Sequence, residues 1–113
     1  MIEILRKTDL TSITHYPKSV VDTIRQSVSN LDEAYGADRT RDGDGGLELI
    51  VETEDELRAL IQSLPYGDLP ESAEELAPDF IHAVYVVGNE RTLDIFTPKK
   101  WATKSMLEEL AKC

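Results

Sequence analysis

The chain has 113 residues, of which 41% are hydrophobic and 30% are charged, and its net charge is −10. This length fits a single domain over residues 1–113, and the longest apolar run, Ala83–Val87, is far shorter than the roughly 20 residues of a membrane span. The lone cysteine, Cys113, excludes an internal disulfide, and without a signal-peptide pattern we expect a cytoplasmic protein.

The negative charge is concentrated in the middle of the chain. Residues 32–79 carry fifteen acidic and three basic residues, a net charge of −12, whereas residues 1–31 and 80–113 are each close to neutral. Such a segment repels nucleic acids and anionic membranes and attracts basic protein surfaces or divalent cations. The sequence therefore argues against direct binding to nucleic acid or membrane, although the same acidity also serves solubility.

The N-terminal third predicts a short strand and a long helix. Residues 2–5 contain apolar side chains that fit a short strand. Apolar residues then recur at helical spacing and define one buried stripe: Val20, Val21, Ile24, Val28 and Leu31. Pro17 suits the first turn of this helix, and Gly36 suits its end because glycine readily adopts a positive φ.

A polar, glycine-rich loop over residues 37–46 separates this helix from a second strand and a second helix. Apolar and acidic residues alternate over residues 47–52, so we expect a strand that exposes Glu48 to solvent. Thr53 and Glu56 have the spacing of a capping box, which predicts that the second helix begins there.

The second half of the chain predicts a strand hairpin and a third helix. Residues 65–78 are acidic and contain three prolines, and we expect one short helical turn there, begun by Ser72. Residues 81–87 are apolar on both faces, which predicts a central strand, and a turn at residues 88–90 leads into a partner strand over residues 92–96. The last helix is expected to begin near Thr97 and Pro98 and to continue through Leu110.

The predicted order of elements is (β)-α-β-α-β-β-α. We therefore expect an α+β fold in which about three helices pack on one face of a three- to four-stranded, mostly antiparallel sheet. The strand over residues 92–96 alternates cleanly, and if it lies at the edge of the sheet it also allows a homodimer.

The loop before the second strand is the candidate binding site. Aspartates and glycines suit oxygen-ligated cations, so Asp38, Asp42 and Asp44 form a weak candidate divalent-cation site. The loop lacks the spacing of an EF-hand, and Arg39 and Arg41 oppose a cation. The other interpretations are a solvated connection and a protein-contact loop, and the contact residues of the latter are predicted as follows: Tyr35, Asp38, Arg39, Asp42, Asp44 and Glu48.

The sequence offers little support for catalysis. His15 and His82 are the only histidines, and we find no reactive cysteine, serine elbow or phosphate loop to act with them. We expect His82 to be a core residue bonded to a backbone carbonyl, and we expect no cofactor. A small enzyme that uses dispersed carboxylates and His82 is a second alternative.

One stretch of the chain resembles other proteins. Residues 31–39, with the sequence LDEAYGADR, are followed by Gly45-Gly46 and by the strand-to-helix run at residues 49–52. This combination resembles small uncharacterised proteins of bacteria and phages. The resemblance implies an accessory protein and brings no active site with it.

The sequence as a whole favours a non-catalytic binding protein that contacts a basic protein partner through the acidic surface of residues 32–79. Charge complementarity of this kind raises association rates and selects basic partners. A stronger form of the hypothesis is an inhibitor that imitates nucleic acid. The alternative is a protein whose loop binds a divalent cation.

Overall fold

The computed structural model describes residues 1–40, 45–63, 72–76, 79–88 and 91–101. Two helices, α1 and α2, and five strands are found in these ranges, together with two short 3-10 turns at Lys7–Ile13 and Lys99–Trp101. In chain order the elements are β1 (Ile2–Ile4), α1 (Lys18–Tyr35), β2 (Gly45–Ile50), α2 (Glu54–Ser63), β3 (Ser72–Leu76), β4 (Phe80–Gly88) and β5 (Arg91–Pro98).

The five strands form one sheet in the order β1-β2-β5-β4-β3. Three of the four strand pairs are antiparallel, and the β2–β5 pair is parallel, with Leu47 opposite Leu93 and Leu49 opposite Ile95. The α+β class and the mostly antiparallel sheet are therefore confirmed, with five strands in place of the three or four expected.

The strand β5 lies at the centre of the sheet and not at its edge. It is hydrogen-bonded to β2 on one side and to β4 on the other. Its alternating pattern reflects the packing of two buried faces, because five consecutive residues, Leu93–Thr97, are all buried. The prediction that this strand could pair with a second copy at a sheet edge is wrong, since its backbone bonds are already used.

The extra strand is β3, where a helical turn was expected. Ser72 and Glu75 have the spacing of a helix cap, but Glu75 instead lies on a strand opposite Ile81, and its carboxylate pairs with the Lys99 ammonium at 2.7 Å. Pairing with β4 over five residues outweighs the local capping signal, because strand formation depends on neighbours that are distant in sequence.

The helix α1 forms as its apolar stripe predicts. Four stripe residues are buried: Val20, Val21, Ile24 and Val28. They pack with β1 and with Ile13, Ile50 and Phe96 in one core cluster. The helix ends at Gly36, whose φ of 95° is rarely adopted by other residues and whose N–H donates to the carbonyl of Asp32.

The helix α2 begins at the predicted cap. The N–H of Glu56 donates to Oγ1 of Thr53 at 3.2 Å, and the Thr53 hydroxyl is 3.0 Å from the Glu56 carboxylate. Leu57 and Ile61 are buried in a second core cluster, which they share with apolar side chains of β2, β4 and β5.

The two helices lie on opposite faces of the sheet, which corrects the prediction that all helices pack on one face. Successive strand residues point to opposite sides, so Leu49 and Ile95 face α2 whereas Ile50 and Phe96 face α1. Both faces of the central strands are apolar, and each face is therefore buried by a separate helix.

The predicted third helix falls mainly outside the described residues. Thr97 and Pro98 belong to β5, and the 3-10 turn at Lys99–Trp101 follows directly. Residues 102–110 of the prediction are not among those described. Neither α1 nor α2 is long and apolar enough to cross a bilayer.

Candidate functional site

The structure divides the six predicted contact residues into three groups. Tyr35 and Asp38 are exposed at the end of α1 and the start of the following loop. Arg39 and Glu48 are buried, so their side chains are not a contact surface. Asp42 and Asp44 lie outside the described residues.

Arg39 fastens the start of the loop to the body of the protein. Its side chain is 2% exposed and pairs with the carboxylate of Asp32 in the last turn of α1. Its guanidinium also donates to the carbonyl of Leu5 at 2.7 Å and to that of Gly36 at 3.3 Å. A buried arginine needs such partners because an uncompensated charge in the interior is costly.

Arg6 adds a second connection from the other side. Its guanidinium donates to the carbonyl of Ala37 and, at 2.8 Å, to the carbonyl of Arg39. Arg6 is itself positioned by Asp9, whose carboxylate accepts the N–H groups of Leu5 and Arg6 at 2.9 Å each. Residues 36–39 are therefore held by two arginines, and we call this segment with Tyr35 and Glu33 the loop base.

Tyr35 packs over the start of β2 although its side chain reaches solvent. The residue is 42% exposed, which makes it one of the few large exposed hydrophobic residues in the described part of the chain. Its ring lies over Gly45, where an added Cβ would come within 3.1 Å of the ring. Gly45 also has a φ of 103°, so both its backbone and its contact with the ring favour glycine at this position.

Glu48 was expected to face solvent but is completely buried. It lies on the side of β2 that α1 covers, and its carboxylate accepts a hydrogen bond from Ser27 of α1. Its second oxygen, Oε2, has no hydrogen-bond partner among the described residues. The alternation of residues 47–52 correctly predicts a strand, but it does not show that a helix covers the face that carries Glu48.

Asp94 of β5 lies opposite Glu48 in the sheet and faces the same helix. Burial raises the pKa of Glu48 to about 7, the bond from Ser27 lowers it, and the charge of Asp94 raises it. Protonation of Glu48 removes one of two negative charges that lie opposite each other on neighbouring strands.

His82 of β4 completes a polar row across the sheet. Its Nε2 is 3.2 Å from Oδ1 of Asp94, and its ring stacks on that of Phe96 with centroids 4.3 Å apart. The prediction of a core histidine bonded to a backbone carbonyl is wrong, because the partner is a carboxylate and the side chain is 22% exposed. We call Ser27, Glu48, Asp94 and His82 the polar row.

Glu48 can take up or release a proton near neutral pH, and the side chain of His82 in the same row is 22% exposed to solvent. The carboxyl pair of the row is covered by α1, so the position of Glu48 suits a structural or proton-storing role better than direct contact with a substrate. The row was missed in the sequence because its members come from four separate elements. Only Glu48 and His82, as polar interruptions of apolar strands, gave any signal.

The cation-binding hypothesis gains no site from the described residues. Among them, no group of three or more histidine, cysteine or acidic side chains is arranged to hold a metal ion. Two of the three proposed ligands, Asp42 and Asp44, lie outside the described ranges. The third, Asp38, is exposed.

Comparisons with protein families, with curated proteins and with solved structures find nothing that matches this chain. The resemblance of residues 31–39 to small bacterial and phage proteins therefore stays a prediction. Any functional interpretation depends on the geometry described above.

Proposed function

We propose that the protein is a non-catalytic binding module that contacts a basic protein partner through the loop base. The observation that carries the proposal is an exposed aromatic ring, Tyr35, that packs over Gly45 and has two exposed carboxylates, Glu33 and Asp38, close to it in the chain. Tyrosine is enriched at the centres of protein interfaces, and carboxylates beside it select a positively charged partner.

The acidic residues of the loop base have no evident role in stabilising α1. The C-terminal end of a helix carries a partial negative charge, which disfavours Glu33 and Asp38 nearby, and the last turn of α1 contains no basic residue. The situation at α2 is the reverse. Its acidic residues, Glu54, Asp55 and Glu56, occupy the first turn, where they stabilise the helix.

The two arginines reduce the cost of binding. A loop that becomes ordered only on binding loses conformational entropy, which weakens the complex. The hydrogen bonds from Arg6 and Arg39 fix residues 36–39 in advance. The loop base therefore offers a preformed surface at the end of α1.

The acidic residues of the described chain lie in separate places. The loop base precedes β2, whereas the first turn of α2 follows it, about 17 Å away along a six-residue strand. Glu74 and Glu75 lie on β3 at the far edge of the sheet. This separation favours contact of the basic partner with the loop base over imitation of a nucleic acid by one continuous acidic surface.

The test compares two variants that change the net charge equally. Glu33→Gln with Asp38→Asn neutralises the loop base, and Asp55→Asn with Glu74→Gln neutralises two exposed acids elsewhere. Each tagged protein captures partners from a host lysate at about 0.1 M and about 1 M salt, where charges are screened over about 10 Å and 3 Å respectively. We expect a specific protein that is retained at low salt, lost at high salt and reduced severalfold only by the loop-base variant.

Two results would contradict the proposal. Equal retention by both variants would assign the interaction to net charge and not to the loop base. A partner retained unchanged at about 1 M salt by the loop-base variant would show that these carboxylates are not used.

A further inference from the structure

A second surface lies at the opposite end of β2 from the loop base. A pocket of about 140 Å³ is lined by six residues: Tyr16, Ile50, Val51, Glu52, Phe80 and Pro98. It is situated where the parallel strands β2 and β5 both end. Neither the predicted contact residues nor the polar row takes part in it.

The interior of the pocket is apolar and aromatic. Ile50 and Val51 are fully buried and form its floor. The rings of Tyr16 and Phe80 meet edge to face, with centroids 6.1 Å apart and an interplanar angle of 81°. Such walls favour methylene groups and, across the faces of the rings, a positive charge.

The rim of the pocket is acidic. Glu52 is exposed there, and its negative charge acts on the Tyr16 hydroxyl. Burial, assisted by the charge of Glu52, raises the pKa of Tyr16 to about 12, so this phenol stays neutral at physiological pH. Glu56 pairs with the N-terminal ammonium of Met1 at 2.5 Å, and the charge of Glu52 also acts on this ammonium.

The volume limits what can enter. Small-molecule sites usually enclose about 300–1,000 Å³, whereas a cavity of about 150 Å³ accepts a group the size of benzene. The pocket therefore suits one side chain and not a larger ligand. A lysine or arginine side chain matches it in both parts, since an apolar stem carries a terminal positive charge.

We propose that this pocket binds one cationic side chain of a partner protein, with its alkyl stem packed against the rings of Tyr16 and Phe80 and its charge beside Glu52. The proposal rests on the proposed function only for the basic character of the partner. The pocket and the loop base lie at opposite ends of β2, so each can be tested without the other.

The experiment titrates the whole protein with single amino-acid amides and follows its backbone amides by NMR. The probes are N-acetyl-lysine amide, N-acetyl-arginine amide and the neutral N-acetyl-norleucine amide. We expect saturable shifts at Tyr16 and Glu52 with a Kd of about 10 mM for the cationic probes, and binding at least about fivefold weaker for the neutral probe. The comparison of lysine with arginine identifies the preferred head group.

Two single substitutions distinguish binding at the pocket from a general effect of the protein's negative charge. Glu52→Gln should weaken binding of the cationic probes about fivefold, whereas Glu74→Gln, an equal change at an exposed residue on β3, should leave it unchanged. The loop-base variant should also bind the probes normally, so that failure of the proposed function and failure of this inference are distinguishable. The spectrum of each variant shows directly whether it is folded.

Three results would overturn the inference. One is the absence of shifts at the pocket at about 50 mM probe, well above the expected Kd. Another is that the norleucine probe binds as tightly as the cationic probes, which would show that the pocket does not select a positive charge. The third is unchanged binding in Glu52→Gln.

Discussion

The two faces of the sheet are built in different ways. The face toward α2 is an apolar core of leucine, isoleucine, valine, alanine and one tyrosine. The face toward α1 has a similar apolar cluster but also contains the polar row, with Glu48 and Asp94 buried in it. Packing stabilises the first face, whereas the stability of the second also depends on the protonation state of Glu48.

The largest effect is expected on the apolar face. Replacing Leu57 by alanine removes a fully buried side chain and leaves a cavity, which should lower the free energy of unfolding by about 3 kcal/mol. Urea unfolding at about pH 5.5 and about pH 8 should give the same loss. Leu60→Ala, on the same helix but only partly buried, is the matched control and should cost clearly less. A loss that changes with pH would show that the stability of the α2 face also depends on a titrating group.

A smaller effect with a clear pH dependence is expected from Glu48→Gln. The pKa of Glu48 is about 7 in the folded protein, against an ordinary value of 4.5, so folding favours its protonated form. The stability contributed by this group is complete below about pH 4.5 and is lost as the pH rises through 7. Glutamine keeps the shape and stays neutral. The variant should therefore gain about 2 kcal/mol relative to the wild type between about pH 5.5 and pH 8.

The control for Glu48→Gln is Glu33→Gln, which makes the same chemical change at an exposed residue of α1. It should show no comparable pH dependence relative to the wild type. A pH of about 5.5 lies above the isoelectric point of 4.5, which avoids precipitation at zero net charge. Parallel pH profiles for the wild type and Glu48→Gln would show that Glu48 does not carry the proton.

The smallest effect is expected from Tyr85→Phe on the apolar face. The Tyr85 hydroxyl is buried without a hydrogen-bond partner among the described residues. Removing an unpaired buried hydroxyl should leave stability unchanged or raise it by up to about 1 kcal/mol. Thermal unfolding of the two proteins measures the difference. A loss larger than about 1 kcal/mol would mean that the hydroxyl does have a partner and that this face is not purely apolar.

The features predicted well from the sequence are those with a local cause. The helix stripe of Val20, Ile24 and Val28, the Thr53 cap and the positive φ of Gly36 each depend on residues within a few positions of one another. The features predicted wrongly depend on distant partners. Glu48 is covered by α1, and the strand β3 pairs with β4. In neither case do the residues of the local segment indicate the partner.

The same reasoning applies to the candidate sites. The predicted contact loop contained both exposed and buried residues, because local composition does not distinguish Asp38 at the surface from Arg39 in the interior. The aromatic pocket was not predicted, because Tyr16, Glu52 and Phe80 come from three distant segments that meet only where β2 and β5 end.

The strand order also determines how the protein resists aggregation. An exposed sheet edge can recruit strands from other chains, and natural proteins limit this with short or charged edge strands. Here β1 has three residues and β3 carries exposed Glu74 and Glu75, while the apolar β5 lies at the centre. The two edges of the sheet therefore resist the addition of strands from other chains. Contact with other proteins is then made by side chains at the surface.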